Sequence, residues 1–240
     1  MESLIYLIRH GEIDNTEPRS FLGWTDPPLN DKGISQALAL RKLLQDIPFT
    51  GIFSSPLQRA MQTAILVGGI LPASVQQVEQ FKEINLGTWE GLTVDEVRHR
   101  FPGEYEQRGR DMEFFRPESG ESFADLAVRS YPVLLSLAKT FIGPLLVVAH
   151  AGVNRVLLSR LQQRPLHRLL EIPQDYCAIN ILSYRSEILQ VEAVNLHEIT
   201  QPFGLRYYKR GMKSGYDDCK QRINENHRSG RTGGGNGTPP

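Results

Sequence analysis

The sequence has no net charge to offer a partner, because 27 Lys and Arg residues balance 27 Asp and Glu. No overall field draws it to nucleic acid or to an anionic membrane, so any anion has to be recognised by a local cluster of side chains. Cysteine is scarce as well. Cys177 and Cys219 are far apart and Cys219 falls in a polar segment, which argues against a disulfide framework and suits a reducing cytoplasm. Long apolar runs are missing: none approaches the roughly 20 residues that cross a bilayer. The first apolar run follows no basic leader and is shorter than the core of a signal peptide. The expectation is a cytoplasmic protein without membrane or nucleic-acid partners.

What is present alternates between two patterns. LIYLI at 4–8 and LLVVA at 145–149 are continuous apolar runs, as expected of strands covered on both faces in a parallel sheet. FTGIFSS at 49–55 is a third candidate strand. Between the first and third, Ile34, Ala37, Leu38, Leu40, Leu43 and Leu44 recur at helical spacing. A second helix is expected after 49–55, with Ser55 as N-cap and Pro56 at its first position. A third spans 121–141, with Ser122 and Asp125 spaced as a capping box and Pro132 marking a kink. INILSYRSEILQVEAVN reads as two strands joined by a tight turn at 185–187, completing one sheet edge. The fold class is therefore α/β, one domain over 1–212 with a mostly parallel central sheet flanked by helices. From Lys213 to 240 the periodicity stops, and a flexible polar, Gly-rich tail is expected.

Two strands end alike. YLIRHGE leaves its strand through Arg9, His10 and Gly11, and LVVAHAGV leaves through His150, Ala151 and Gly152. In parallel sheets the carboxyl ends of strands form the ligand crevice, so two histidines 140 positions apart can meet there. Arg59 enters from the first turn of the helix after Ser54 and Ser55, where backbone N–H groups already favour an anion. A lone histidine at a strand end is more often a hydrogen-bonded structural residue, and a lone arginine more often serves a salt bridge or solvent. Together, two arginines, two histidines and glycines form a small cationic pocket suited to phosphate.

These residues carry a resemblance to the histidine phosphatase superfamily, the phosphoglycerate mutase-like proteins, whose Arg-His-Gly hallmark is Arg9-His10-Gly11. It extends through GWTDPPLNDKG at 23–33, SSPLQRAMQTA at 54–64, EINLGTWEG at 83–91, GES at 120–122 and HAGVNRVLL at 150–158. The resemblance implies that His10 attacks phosphorus to give a phosphohistidine. It implies that Arg9, Arg59 and His150 bind phosphoryl oxygens, and that Glu83 is the general acid for the leaving oxygen and then the base for water. A neutral imidazole is nucleophilic near pH 7 and cationic donors stabilise the transferring group, so the roles agree with the chemistry. A metal shared by His10, His150 and Glu83 would be repelled by the two guanidinium groups. No metal or cofactor is expected. Many members continue Arg-His-Gly-Glu with Thr and carry Asn three residues later, whereas Ile13 and Thr16 stand at those places here. Either Asn15 reaches the phosphate through a shifted loop or Thr16 substitutes for it.

Within the superfamily, EINLGTWEG is more similar to the phosphatase branch than to mutases, in which Arg-His-Tyr-Gly follows the acid. GWTDPPLN, LGTWEG and SGESFADLAVR look particularly like α-ribazole phosphatases. The implied partner is a small phosphorylated metabolite, either α-ribazole 5′-phosphate or a broad range of esters. The segment from Val94 to Gly120 is expected to be the lid that selects it. Trp24 and Trp89 stay open between substrate contact and packing. The competing readings are a phosphoglycerate mutase and, from another class, a catalytically idle phosphate-binding protein.

Overall fold

The computed structural model describes residues 3–15 and 18–198. In chain order the elements are β1 (Ser3–Arg9), α1 (Asp31–Leu44), β2 (Gly51–Ser54), α2 (Gln58–Gly68), β3 (Gln76–Gln77), α3 (Val94–Arg100) and α4 (Glu104–Arg110). The longest helix, α5 (Phe123–Thr140), precedes β4 (Gly143–Ala149), α6 (Ala151–Leu161), β5 (Ile179–Arg185) and β6 (Ile188–Leu196). Thr16, Cys219 and the expected tail at 213–240 lie outside the described residues.

The strands form one sheet in the order β3-β2-β4-β1-β5-β6. The first four run parallel, while β5 pairs antiparallel with β1 and β6 antiparallel with β5. Ile5, Leu7, Leu145 and Val147 face the same buried cluster as α5 and α6 residues, whereas Tyr6, Ile8, Leu146 and Val148 are also inaccessible. Burial on both faces explains why these strands are unbroken apolar runs. At the far edge, Ser186 and Glu187 take the left-handed backbone at φ 49 and φ 66. Two consecutive residues of that kind match the twist of the flanking strands and make the tight turn between β5 and β6.

The helices depart from the sequence reading in two places, on α1 and α2. On α1, Gly33, Ala37, Leu40 and Leu44 are buried, but Ile34, Leu38 and Leu43 are exposed. The small residues are what let the helix approach the chain: a Cβ on Gly11 would stand 2.6 Å from the Gly33 carbonyl oxygen, and one on Gly33 would stand 2.1 Å from that of Glu12. Helix α2 starts at Gln58 rather than Pro56, because Ser55 is engaged elsewhere. Its cap comes from Asp26, whose carboxylate accepts the Gln58 N–H at 2.7 Å. Helix α5 has the expected capping box between Ser122 and Asp125 and continues through Pro132. Pro132 is on the exposed side, so water can satisfy the carbonyl its ring leaves free.

Candidate active site

Sheet register assembles the site. Arg9 pairs with Ala149 across β1 and β4, so the residues that follow, His10 and His150, leave the sheet side by side with ring centroids 5.1 Å apart. Ser54 pairs with Val148 in the next strand, which places Ser55 beside them. Each side chain emerges from a strand end held by the core, so the cluster is rigid before any ligand arrives.

His10 is 4% exposed, and its Nδ1 lies 2.7 Å from the Gly11 carbonyl. A carbonyl only accepts, so Nδ1 carries the hydrogen and Nε2 keeps its electron pair. Burial first, then the charges of Arg9 and Arg59, hold the imidazole well below the ordinary 6.5, against the opposing pull of the Gly11 bond. His10 is thus a neutral imidazole with a free nucleophilic nitrogen. His150 is fully buried and is held neutral by the same causes, burial ahead of Arg59, His10 and Arg9.

The two guanidinium groups are fixed by carbonyls. Arg9 donates Nη1 to Gln174 O at 2.6 Å and stacks 3.8 Å from the Tyr176 ring centroid. Arg59, fully buried, donates Nη1 to Thr25 O and Nη2 to Gly23 O, both at 2.7 Å. The loop it grips is held in turn by Glu90, whose carboxylate accepts the backbone amides of Gly23, Trp24 and Thr25. In both arginines Nε is buried without a partner. Carbonyls orient both cations without neutralising them, and the Asp26 carboxylate, 3.8 Å from Arg59 Nη1, offsets only part of the charge that a phosphoryl group would meet.

Glu83 is buried opposite this cradle. Its Oε2 accepts the Gly152 N–H at the start of α6, and its Oε1 accepts the Ile84 N–H, both at 2.9 Å. Its own carbonyl accepts from Trp24 Nε1 and Arg129 Nη2, each at 2.8 Å. Trp24 therefore secures the backbone of Glu83. Trp89 is wholly buried among Phe21, Tyr105 and Phe115, which is packing.

Asn15 is directed elsewhere: its amide nitrogen donates to Ser20 O and its oxygen accepts the Ser20 N–H, both at 3.0 Å. It is tied to Ser20, and Thr16 is not among the described residues. Ile13, at the position where the pattern departs from the family, is buried and bridges to Leu29.

A cavity of about 420 Å3 opens from Glu83 and Gly152. Its walls include Phe21, Tyr105 and Phe123, and two cations that the sequence reading missed, Arg108 and Arg155. The Arg108 guanidinium sits between 5.5 and 5.6 Å from the rings of Phe21, Trp89 and Phe123, and makes no hydrogen bond or ion pair among the described residues. Arg155 is anchored through Nε to Ile172 O. A larger cleft of about 600 Å3 is lined by Arg9 and Tyr176 but by none of His10, Glu83 or His150. The smaller one is lined by Glu83. Among the described residues no group of three His, Cys, Asp or Glu side chains is placed to share a metal ion, and no helix is long and apolar enough to cross a membrane.

Comparison with known proteins agrees with this geometry. The 6-phosphofructo-2-kinase/fructose-2,6-bisphosphatase 1 of Mus musculus is 32% identical over 207 residues, 80% of this chain and 41% of the relative. The chain thus spans about two fifths of that curated relative. Among solved structures, Bacillus stearothermophilus YhfR is 30% identical with a TM-score of 0.73, covering 82% of this chain and 98% of its own. A putative alpha-ribazole-5′-P phosphatase from Escherichia coli is 26% identical with a TM-score of 0.76, covering 83% and 99%. The family model of the histidine phosphatase superfamily (branch 1) matches residues 5–197. With Arg9-His10-Gly11, Arg59, Glu83 and His150 gathered at the strand ends, the chain belongs to that superfamily.

Proposed function

We propose that the protein is a metal-independent phosphomonoesterase that works through a phosphohistidine on His10. The observation that carries this reading is the 2.7 Å bond from His10 Nδ1 to the Gly11 carbonyl, which leaves Nε2 unprotonated inside a cationic cradle. Arg9, Arg59 and His150 hold the phosphoryl oxygens. Nε2 attacks phosphorus, the bond to the ester oxygen breaks, and protonated Glu83 gives that oxygen its proton. Glu83, now a carboxylate, takes a proton from water as the water oxygen attacks phosphorus. The P–N bond breaks, inorganic phosphate leaves, and His10 returns to its neutral form.

The aromatic wall of the adjoining cavity and the likeness to a putative alpha-ribazole-5′-P phosphatase support α-ribazole 5′-phosphate as substrate. Arg108 and Arg155 favour a second reading, an ester with another anionic group, in keeping with relatives named for fructose 2,6-bisphosphate. The test is hydrolysis of p-nitrophenyl phosphate, α-ribazole 5′-phosphate and fructose 2,6-bisphosphate in EDTA, with an alkaline denaturing quench to trap phosphoenzyme. Activity that persists in EDTA, an acid-labile phosphoenzyme and its loss in His10→Ala are expected. Full activity in His10→Ala overturns the mechanism, and transfer of phosphate between hydroxyls without release makes the enzyme a mutase. Between substrates, Arg108→Ala raises KM about tenfold for the bisphosphate only if the second reading holds.

A further inference from the structure

Ser55 leaves β2 fully buried, its backbone N–H bonded to Val148 O at 3.0 Å. Its Oγ lies 2.8 Å from His150 Nε2 and accepts the Leu57 N–H at 3.3 Å. The other ring nitrogen, His150 Nδ1, is buried without a partner.

We propose that Ser55 is a positioning residue that sets the tautomer of His150, so that His150 presents Nδ1–H to a phosphoryl oxygen. The inference rests on the phosphatase reading for its purpose, but on hydrogen-bond accounting for its content. One hydrogen lies between Oγ and Nε2, and it belongs to one of them. If Nε2 held it, the Ser55 hydroxyl would need another acceptor, yet among the described residues no carbonyl or carboxylate accepts from it. Nδ1 would then turn a lone pair toward an anion. If Ser55 donates instead, Leu57 N–H gives to Oγ, Oγ–H gives to Nε2, and Nδ1–H is the donor left over. Every polar group in the chain is then used in its favourable sense. A buried donor or acceptor left unmade is costly, which separates the two arrangements.

The consequence is a pair of opposite tautomers in neighbouring rings. Gly11, an acceptor, makes His10 expose a lone pair for attack, whereas Ser55, a donor, makes His150 expose a hydrogen for binding. Two imidazoles of the same charge thereby acquire different roles.

Imidazole 15N NMR of the free enzyme tests this directly, with the His150 signals assigned by their absence from His150→Gln. The wild type is expected to show His150 protonated at Nδ1, and Ser55→Ala to shift it toward Nε2–H. Ser55→Ala should also weaken binding of inorganic phosphate and lower kcat/KM by about 100-fold, the lower end of the range expected on losing one preorganised donor. Ser55→Thr, which keeps the hydroxyl, should restore the Nδ1–H form. An Nε2–H tautomer in the wild type overturns the proposal, as does Ser55→Ala with unchanged tautomer and phosphate affinity. Failure of the phosphatase reading would appear separately, as a wild type with the expected tautomer that neither binds phosphate nor turns over.

Discussion

The Gly152 amide donates to Glu83 Oε2 at 2.9 Å, tying the Glu83 carboxyl on its loop to the first turn of α6. Space is tight as well as polar: a Cβ on Gly152 would stand 2.3 Å from Glu83 Oε1. The clash is with the end of a side chain, so Gly152→Ala should fold and turn the carboxylate away. General acid catalysis matters most for poor leaving groups and is typically worth 10²- to 10⁴-fold. We expect hydrolysis of an alkyl phosphate to fall by about 100-fold, while an activated aryl phosphate loses about tenfold or less. Equal losses on both substrates would mean that the substitution damages the phosphate cradle instead.

Arg129 sets the same carboxyl from behind. It donates to the carbonyls of Gln80, Lys82 and Glu83, and its Nε pairs with Glu121 at 2.7 Å. Arg129→Met leaves three carbonyls and a half-buried carboxylate without that partner. A stability loss of about 2–4 kcal/mol is expected from urea unfolding, within the range for removing one member of a partly buried charged network. Arg129→Lys should recover little, because an ammonium lacks the planar fork that reaches all three carbonyls.

The two site histidines make stability depend on pH. In the unfolded chain each takes up a proton as pH falls through about 6.5, whereas in the fold burial and the arginines keep both neutral. Below that pH the unfolded state binds more protons, so stability falls with pH, by at most about 1.4 kcal/mol per unit for each ring. Urea midpoints from about pH 7 down to about pH 5 should show the slope, and His150→Gln should remove one proton's share. A variant slope equal to that of the wild type would show that His150 is protonated in the fold.

Much of this was legible in the sequence because it depends on local pattern. The runs at 4–8 and 145–149 are apolar at every position since β1 and β4 have neighbours on both faces, and the residues after them meet because the strands are parallel. What escaped depends on partners distant in the chain. Ser55 has the chemistry of an N-cap, but Asp26 caps α2 and frees the serine for His150. Arg108 lies in the charge-dense segment expected to be the lid, where local pattern does not single it out; only the fold brings Phe21, Trp89 and Phe123 around it. Asn15 has the composition of a phosphate ligand, yet its amide closes on Ser20. For that residue the expected role at the phosphate has no geometric support.

Helix α5 should report its cap cleanly. Ser122 Oγ accepts the Asp125 N–H at 3.1 Å and Asp125 Oδ2 accepts the Ser122 N–H at 2.9 Å. Ser122→Ala removes half of this exchange at a buried position, and caps of this type are worth about 1 kcal/mol. Urea unfolding should show that loss, with KM for p-nitrophenyl phosphate unchanged. A rise in KM would instead mean that Phe123, the next residue and part of the cavity wall, moves with the cap.

Cys177 lies behind His10, and its backbone amide donates to the carbonyls of both Arg9 and His10. To do so it adopts the left-handed backbone at φ 55, which leaves its side chain buried. Burial pushes the thiol up to about 12, and the opposing charge of Arg9 does not reverse it. At pH 8 only about one molecule in 10⁴ carries the thiolate, the form that reacts with alkylating reagents. Native protein treated with iodoacetamide should therefore retain unmodified Cys177 on peptide mapping, with full labelling once urea unfolds the chain. Labelling of the native protein at the rate of an exposed cysteine would show that this turn opens, and with it the backbone support of Arg9 and His10.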